Sequence, residues 1–278
     1  MRVALLVVGD EILDGSTTDS NSGWVCRQIS GRGASVVRTA VVPDDPREIG
    51  QGLDFLLQVK PRLLITLGGL GPTRDDLTVG AVADYFGVRL AEHPDGARIV
   101  SERYAALAEA GRVRDTSSPA ALQARAKMAL LPKAAVALDN QVGAAPGVWF
   151  DVKERLSVLN LPGVPSELKY IFINEAGAHL QRVLGTGYFR SATIVTSTND
   201  ESELSASLAA FDEKHADPAI YLKSRAKRFG KDVRMQATIS SRGSDLDDVI
   251  GRLAAAIEGF RSELTSASIE VQSVTFDE

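Results

Sequence analysis

Cysteine is almost absent from this sequence: Cys26 stands alone among 278 residues. It has no partner for an intrachain disulfide and no neighbours at metal-ligand spacing, so it reads as a small apolar packing residue. Net positive charge is also missing. Thirty-one Lys and Arg face 36 Asp and Glu, for a formal net charge of −5. A general nucleic-acid binder draws its affinity from clustered cations, so that class is disfavoured and any anion site has to be built locally. Long hydrophobic runs are lacking too. The first, in MRVALLVVGDEI, ends at Val8 and is too short for a membrane span or the core of a secretory signal. The expectation is a cytoplasmic protein with no membrane partner. What remains, 44% hydrophobic and 24% charged residues, is the usage of an ordinary globular chain.

Periodicity then orders the chain. Arg2 to Val8 is apolar on both faces and stops at Gly9, as a central strand covered by helices does. Helix Ser22 to Ile29, strand Ser35 to Val42, a helix begun by Asp45-Pro46 with Glu48 behind it, strand Arg62 to Leu67 and a helix carrying Val79, Val82 and Phe86 follow. This β-α-β-α-β-α order predicts a three-layer α/β/α domain with a mostly parallel sheet and ligands at the carboxyl ends of the strands. Residues 88 to 145 read as an elaboration. Met128 to Leu131, Val148 to Phe150 and Leu156 to Leu161 read as further strands, and Glu167 to Leu184 as one long helix ending at Gly185 and Gly187. The expected division is 1–170 for the ligand-binding domain, 171–188 for a connecting helix and linker, and 189–278 for a small α+β domain. The last has β-α-β-β-α-β order, a split βαβ, with Ser244 expected to cap its second helix.

The strongest chemical signal is Thr66-Leu67-Gly68-Gly69-Leu70-Gly71-Pro72-Thr73-Arg74-Asp75-Asp76-Leu77-Thr78. Glycines directly after a buried strand let backbone amides approach an anion, and a helix beginning near Asp76 would point its positive end there. Gly68, Gly69, Leu70, Gly71, Pro72 and Thr73 are therefore candidate phosphate contacts. Asp75 and Asp76 suit a divalent cation. Helix capping explains one aspartate and leaves the other, and the third glycine, without a role. A second loop, Gly9-Asp10-Glu11-Ile12 with Asp19-Ser20-Asn21-Ser22, emerges on the same sheet edge and offers Gly9, Asp10, Glu11 and Asn21. Taken alone it reads as a solvated loop with a helix cap at Asn21 or Ser20. The turn Leu161-Pro162-Gly163-Val164-Pro165-Ser166-Glu167 adds Gly163, Pro165 and Ser166 ahead of a helix. Gly143 in Gly143-Ala144-Ala145-Pro146-Gly147 is open between a ligand contact and a plain tight turn.

Together and in this order, these loops resemble the CinA family, itself similar to the MoaB and Mog molybdopterin-binding proteins. The resemblance covers residues 1 to 170. Beyond it, the small domain resembles the family's KH-like domain, with Lys223 in Tyr221-Leu222-Lys223-Ser224 at its lysine-bearing strand end. Arg74 stands where many relatives carry histidine, and Ala144 where threonine is usual. Many relatives continue into a nicotinamide mononucleotide deamidase domain, an activity this chain is expected to lack.

The resemblance implies two activities. One is metal-dependent (Mg or Co) hydrolysis of ADP-ribose to AMP and ribose 5-phosphate, with Glu11, Asp75 and Asp76 as catalytic candidates and Asp75 and Asp76 as metal ligands. The alternative is binding of molybdopterin, or of another nucleotide or pterin, without catalysis. A homo-oligomer is implied, a dimer ahead of a trimer. The basic loop Lys223, Arg225, Lys227, Arg228 and Lys231 lacks the aromatic platform and G-x-x-G clamp of RNA-binding KH domains. It reads as solvated, or as bringing Lys223 to a ligand diphosphate.

Overall fold

The computed structural model describes residues 1–114, 118–152, 155–226 and 234–277. They form two compact units, Met1–Ile29 with Ala34–Gly185, and Thr186–Glu278 with Ser30–Gly33.

The first unit begins with β1 (Arg2–Val8), the short α1 (Asp10–Leu13), α2 (Asn21–Gly31) and β2 (Ser35–Val42). Next come α3 (Pro46–Leu57), β3 (Leu63–Leu67), α4 (Thr78–Tyr85), β4 (Leu90–Glu92), α5 (Pro94–Glu109) and α6 (Pro119–Lys127). β5 (Leu130–Pro132), β6 (Val136–Leu138), β7 (Gly147–Val152), β8 (Leu156–Leu161), α7 (Pro165–Tyr170) and α8 (Gly177–Leu184) complete it. Six strands make one sheet in the order β2-β1-β3-β8-β7-β6. The pairs β1·β2, β1·β3 and β3·β8 are parallel, while β7 runs antiparallel to both β8 and β6.

Period-2 alternation explains why β1 is apolar throughout. Val3, Leu5 and Val7 enter one core with Val25 and Ile29 of α2 and Leu180 of α8. Ala4, Leu6 and Val8 enter the other with Ile49, Leu53 and Leu56 of α3. Each fully buried leucine contributes about 2 kcal/mol. Asp45 starts α3 as expected, accepting the amides of Arg47 and Glu48 at 2.8 and 3.2 Å.

Three local expectations need correction. The long helix over Glu167 to Leu184 is interrupted by a π turn at Ile171–Glu175. The wider turn lets Leu168, Ile171, Phe172, Ala176 and Leu180 all bury completely. The strand expected over Met128 to Leu131 starts later, because Met128 and Ala129 close α6 through amides donated to Arg125 and Ala126 carbonyls. β5 then pairs with β4 in a separate two-stranded sheet.

The second unit comprises β9 (Tyr188–Thr196), α9 (Glu201–Lys214), β10 (Ile220–Ala226), β11 (Met235–Gly243), α10 (Leu246–Ser266) and β12 (Val271–Asp277). Its sheet order is β10-β11-β9-β12. β11 lies antiparallel to both β10 and β9, so β9 and β10 are parallel strands joined by α9 and split by β11. The third correction falls here: α10 is capped by Asp245, which accepts the Asp248 amide at 2.9 Å, and not by Ser244. Lys227, Arg228 and Lys231 of the basic loop lie outside the described residues. Among the described residues no helix is long and apolar enough to cross a membrane.

Candidate functional site

A cleft of about 560 Å³ opens where β1, β3 and β8 end, the place a parallel sheet offers for ligands. Its walls are the loops the sequence singled out. Gly9, Glu11, Gly68, Gly69, Leu70, Gly71, Pro72, Asp75, Asp76, Gly163 and Pro165 all line it. A second groove of about 650 Å³ between α5 and α6 holds none of those residues and shares only Tyr104 with the cleft.

The glycine-rich loop is shaped by backbone geometry. Gly68 and Gly69 have φ of +100° and +70°, a region costly for residues with a Cβ. A Cβ on Gly69 would collide with the Thr78 hydroxyl, and one on Gly68 with the Val8 carbonyl. Gly68 donates its amide to the Leu161 carbonyl at 3.0 Å, holding the loop against the end of β8. The amides of Gly69, Leu70 and Gly71 enter none of the turn and loop backbone hydrogen bonds among the described residues. Three donors thus stand at the wall of the cleft.

Asp76 does not start the following helix. Its Oδ2 accepts the Thr73 amide at 2.8 Å and the Thr73 hydroxyl at 2.5 Å, closing a tight turn inside the loop. α4 begins two residues later, at Thr78, with Leu77 at the cap position and no side-chain cap. The carboxylate expected to serve as cap or ligand is thus engaged by Thr73. The exposed Asp75 carboxyl is held below its ordinary range by the Thr73 hydroxyl, which lies nearby although its hydrogen bond goes to Asp76, by its own backbone amide and by the Lys127 charge, against an opposing effect of burial. Lys127 pins the same turn by donating to the Thr73 carbonyl.

The other predicted residues divide. Asp10 sits in α1 and donates its amide to Asp44 Oδ2 at 3.1 Å. Asn21 ties α2 to the 162–166 turn, Nδ2 donating to the Gly163 carbonyl at 2.7 Å, while its Oδ1 is buried without a partner among the described residues. Thr73, Gly143 and Ser166 are not in the cleft wall. Lys223 belongs to the second unit, on β10 opposite Thr238 of β11. Ala144 lines the cleft and Arg74 is exposed.

Two carboxyls in the wall went unnoticed as functional candidates in the sequence. Asp44 lines the cleft. Burial raises its carboxyl above the ordinary value, and the charges of Asp10, Glu11 and Asp75 add to the rise against the opposing Asp10 amide. Glu167 in the first turn of α7 is likewise raised by burial, opposed by a hydrogen bond from Asn140 and by the Arg112 charge. Asp44 follows the end of β2 beside the Asp45-Pro46 helix start and Glu167 closes the Leu161–Glu167 motif in the first turn of α7, and those positions were the available signals. Glu11, Asp44 and Asp75 together give the cleft an acidic rim, which a cation bound beside a phosphate would neutralise. Among the described residues no group of three or more His, Cys, Asp or Glu side chains closes round one point.

The fold is thus that of a mixed α/β protein with a glycine-lined cleft at the carboxyl edge of a mostly parallel sheet. The model of the family described as "Probable molybdopterin binding domain" matches residues 4–182. A protein of Pyrococcus horikoshii is 34% identical over 255 residues, covering 92% of this chain and 94% of that one. A CinA-like protein of Salinibacter ruber is 34% identical over 268 residues, 90% of this chain and 61% of the relative. Among solved structures, a CinA of unknown function from Thermoplasma acidophilum superposes with a TM-score of 0.55 at 30% identity, over 66% of this chain and 99% of that one. The chain belongs to the CinA-like members of the molybdopterin-binding domain family.

Proposed function

We propose that the cleft binds a phosphate-bearing small molecule of the pterin or nucleotide class, its phosphate seated on the glycine-rich loop. The observation that carries this reading is the row of amides from Gly69 to Gly71, outside the loop's own backbone hydrogen bonds and lining the cleft. Backbone amides in such a concavity form an anion site without cationic side chains, which suits a chain of net charge −5. Family membership favours a pterin phosphate of the molybdopterin kind as the ligand. Titration calorimetry with inorganic pyrophosphate, 5′-AMP and 6-hydroxymethylpterin phosphate tests it. Binding of all three is expected, and Gly69→Val should abolish it. Failure of the wild-type protein to bind any of them overturns the reading.

A second reading is favoured by the acidic rim of Glu11, Asp44 and Asp75 in the same cleft. In hydrolysis of ADP-ribose, water attacks the adenosyl phosphorus, a carboxylate accepts the water's proton, the bridging P–O bond breaks with its electron pair going to ribose 5-phosphate as leaving group, and AMP carries the oxygen from water. Asp75 and Glu11 are the proposed carboxylates for orienting that water. A divalent cation, when bound, would neutralise the diphosphate. Asp76 fits this role less well, because Thr73 already engages its Oδ2. Release of AMP with Mg²⁺ or Co²⁺, lost with a chelator and in Asp75→Asn, supports hydrolysis; no AMP under any of these conditions removes it.

A further inference from the structure

Part of the cleft wall is organised round a carboxyl group that phosphate binding leaves unused. Glu167 Oε2 accepts a hydrogen bond from Asn140 Nδ2 at 2.6 Å. Asn140 is completely buried, and the rest of its capacity goes to the loop that follows it. Nδ2 also donates to the Ala145 carbonyl at 2.8 Å, while Oδ1 accepts the amides of Gly143 at 2.9 Å and Val142 at 3.3 Å. From α5, Arg103 donates to the Gly143 carbonyl at 3.2 Å and the Gln141 carbonyl at 2.6 Å, fixing the same loop from outside. A Cβ on Gly143 would collide with the Glu167 carboxyl, so the loop fits closely over that group.

Among the described residues no hydrogen bond engages the other oxygen, Oε1. The cleft therefore presents a half-buried carboxylate with one oxygen held and one without a donor. Oε1 is open to the cleft and to water, and a ligand donor that replaces that water makes a charge-assisted hydrogen bond, which is worth more than an ordinary one. A first-turn acid that only complements the helix dipole needs neither burial nor a loop wrapped round it.

Resting on the phosphate reading above, we propose that Glu167 recognises the part of the ligand beyond its phosphate, Oε1 accepting hydrogen bonds from adjacent donors. Two ligand groups offer that chemistry: the vicinal diol of a ribose, and the N–H and amino edge of a pterin. The burial that raises the Glu167 carboxyl is a cost of holding the charge that ligand donors offset.

Glu167→Gln is the test, because it preserves shape and inverts polarity. A glutamine has one acceptor oxygen; Asn140 takes it, and the remaining NH₂ faces the ligand's own donors. Calorimetry would compare wild type and variant with four probes: inorganic pyrophosphate, 5′-AMP, 2′,3′-dideoxy-AMP and 6-hydroxymethylpterin phosphate. The expected result is a loss of about 10- to 100-fold confined to the ligands that bring a pair of adjacent donors, the diol of AMP or the N–H and amino edge of the pterin. A loss for AMP with none for dideoxy-AMP identifies the diol, and a loss for the pterin phosphate alone identifies the pterin edge. Equal effects on all four probes, or none on any, overturn the proposal. The underlying reading fails differently, by absence of pyrophosphate binding to the wild-type protein. If the variant does not fold, wild type alone decides. Equal affinity for AMP and dideoxy-AMP, together with equal affinity for the pterin phosphate and its N3-methyl analogue, overturns the proposal.

Discussion

Two walls of one cleft are built on different principles. The loop from Gly68 to Asp76 takes its shape from its own residues, glycines at positive φ and a four-residue Thr73–Asp76 turn, and is then held in place by the Leu161 carbonyl and Lys127. The loop from Asn140 to Pro146 is shaped by residues far away, with Arg103 40 positions before Gly143 and Glu167 27 after Asn140. The first lines the cleft with backbone amides, and the second displays a single side-chain carboxyl. The contrast teaches that a backbone-made site tolerates side-chain change and fails on backbone change, while a side-chain-made site does the reverse.

That contrast breaks most sharply at Gly69. Gly69→Val places a branched side chain at φ +70° against the buried Thr78, and a cost on the order of 3 kcal/mol is expected, read by urea denaturation. Gly143→Ala should cost about 1–3 kcal/mol by overpacking against Glu167. Adding Glu167→Ala should recover part of that loss, and a double-mutant cycle with zero coupling would show the contact to be unimportant. Asp76→Ala removes the acceptor for the Thr73 amide and hydroxyl, and about 1 kcal/mol is expected. Because α4 starts at Thr78 without help from Asp76, hydrogen exchange in α4 should be unchanged; faster exchange there would restore the capping role.

The smallest expected effect is a pH dependence. The Glu167 carboxyl has a raised folded-state pKa, so the folded chain holds its proton more tightly than the unfolded chain does. Its contribution to stability is present below the ordinary glutamate value and is lost as pH rises through the raised one. The melting temperature of wild type relative to Glu167→Gln should fall slightly across that interval. A flat difference would mean that burial does not perturb the group.

Much of this fold is legible in the sequence, for physical reasons. β1 and β3 are apolar on both faces because helices cover both sides, and Asp45-Pro46 marks a helix start through purely local bonds. The order of the second unit follows from strand and helix periodicity in the same way. Legibility fails where a long-range or competing partner decides. Thr73 takes the Asp76 carboxylate and moves the start of α4. The demand to bury Phe172 and Ala176 together widens a turn that periodicity reads as regular helix. At the site, the glycine loop announces itself because glycine takes that backbone without the strain a Cβ would bring. Asp44 and Glu167 do not, because their roles come from burial and from partners on other segments, Asp10 and Asn140.

The strand order also sets a timetable for synthesis. Leu63 to Leu67 of β3 pair with Ser157 to Leu161 of β8, more than ninety residues later, a gap of roughly 5 to 20 seconds at ordinary rates of translation. Until then the edge of β3 carries unpaired N–H and C=O groups, the kind of surface that recruits foreign strands. The strand that closes this edge also delivers the Pro162–Glu167 segment of the cleft. In a nascent chain that wall of the cleft therefore arrives only with the strand that seals the open edge of β3.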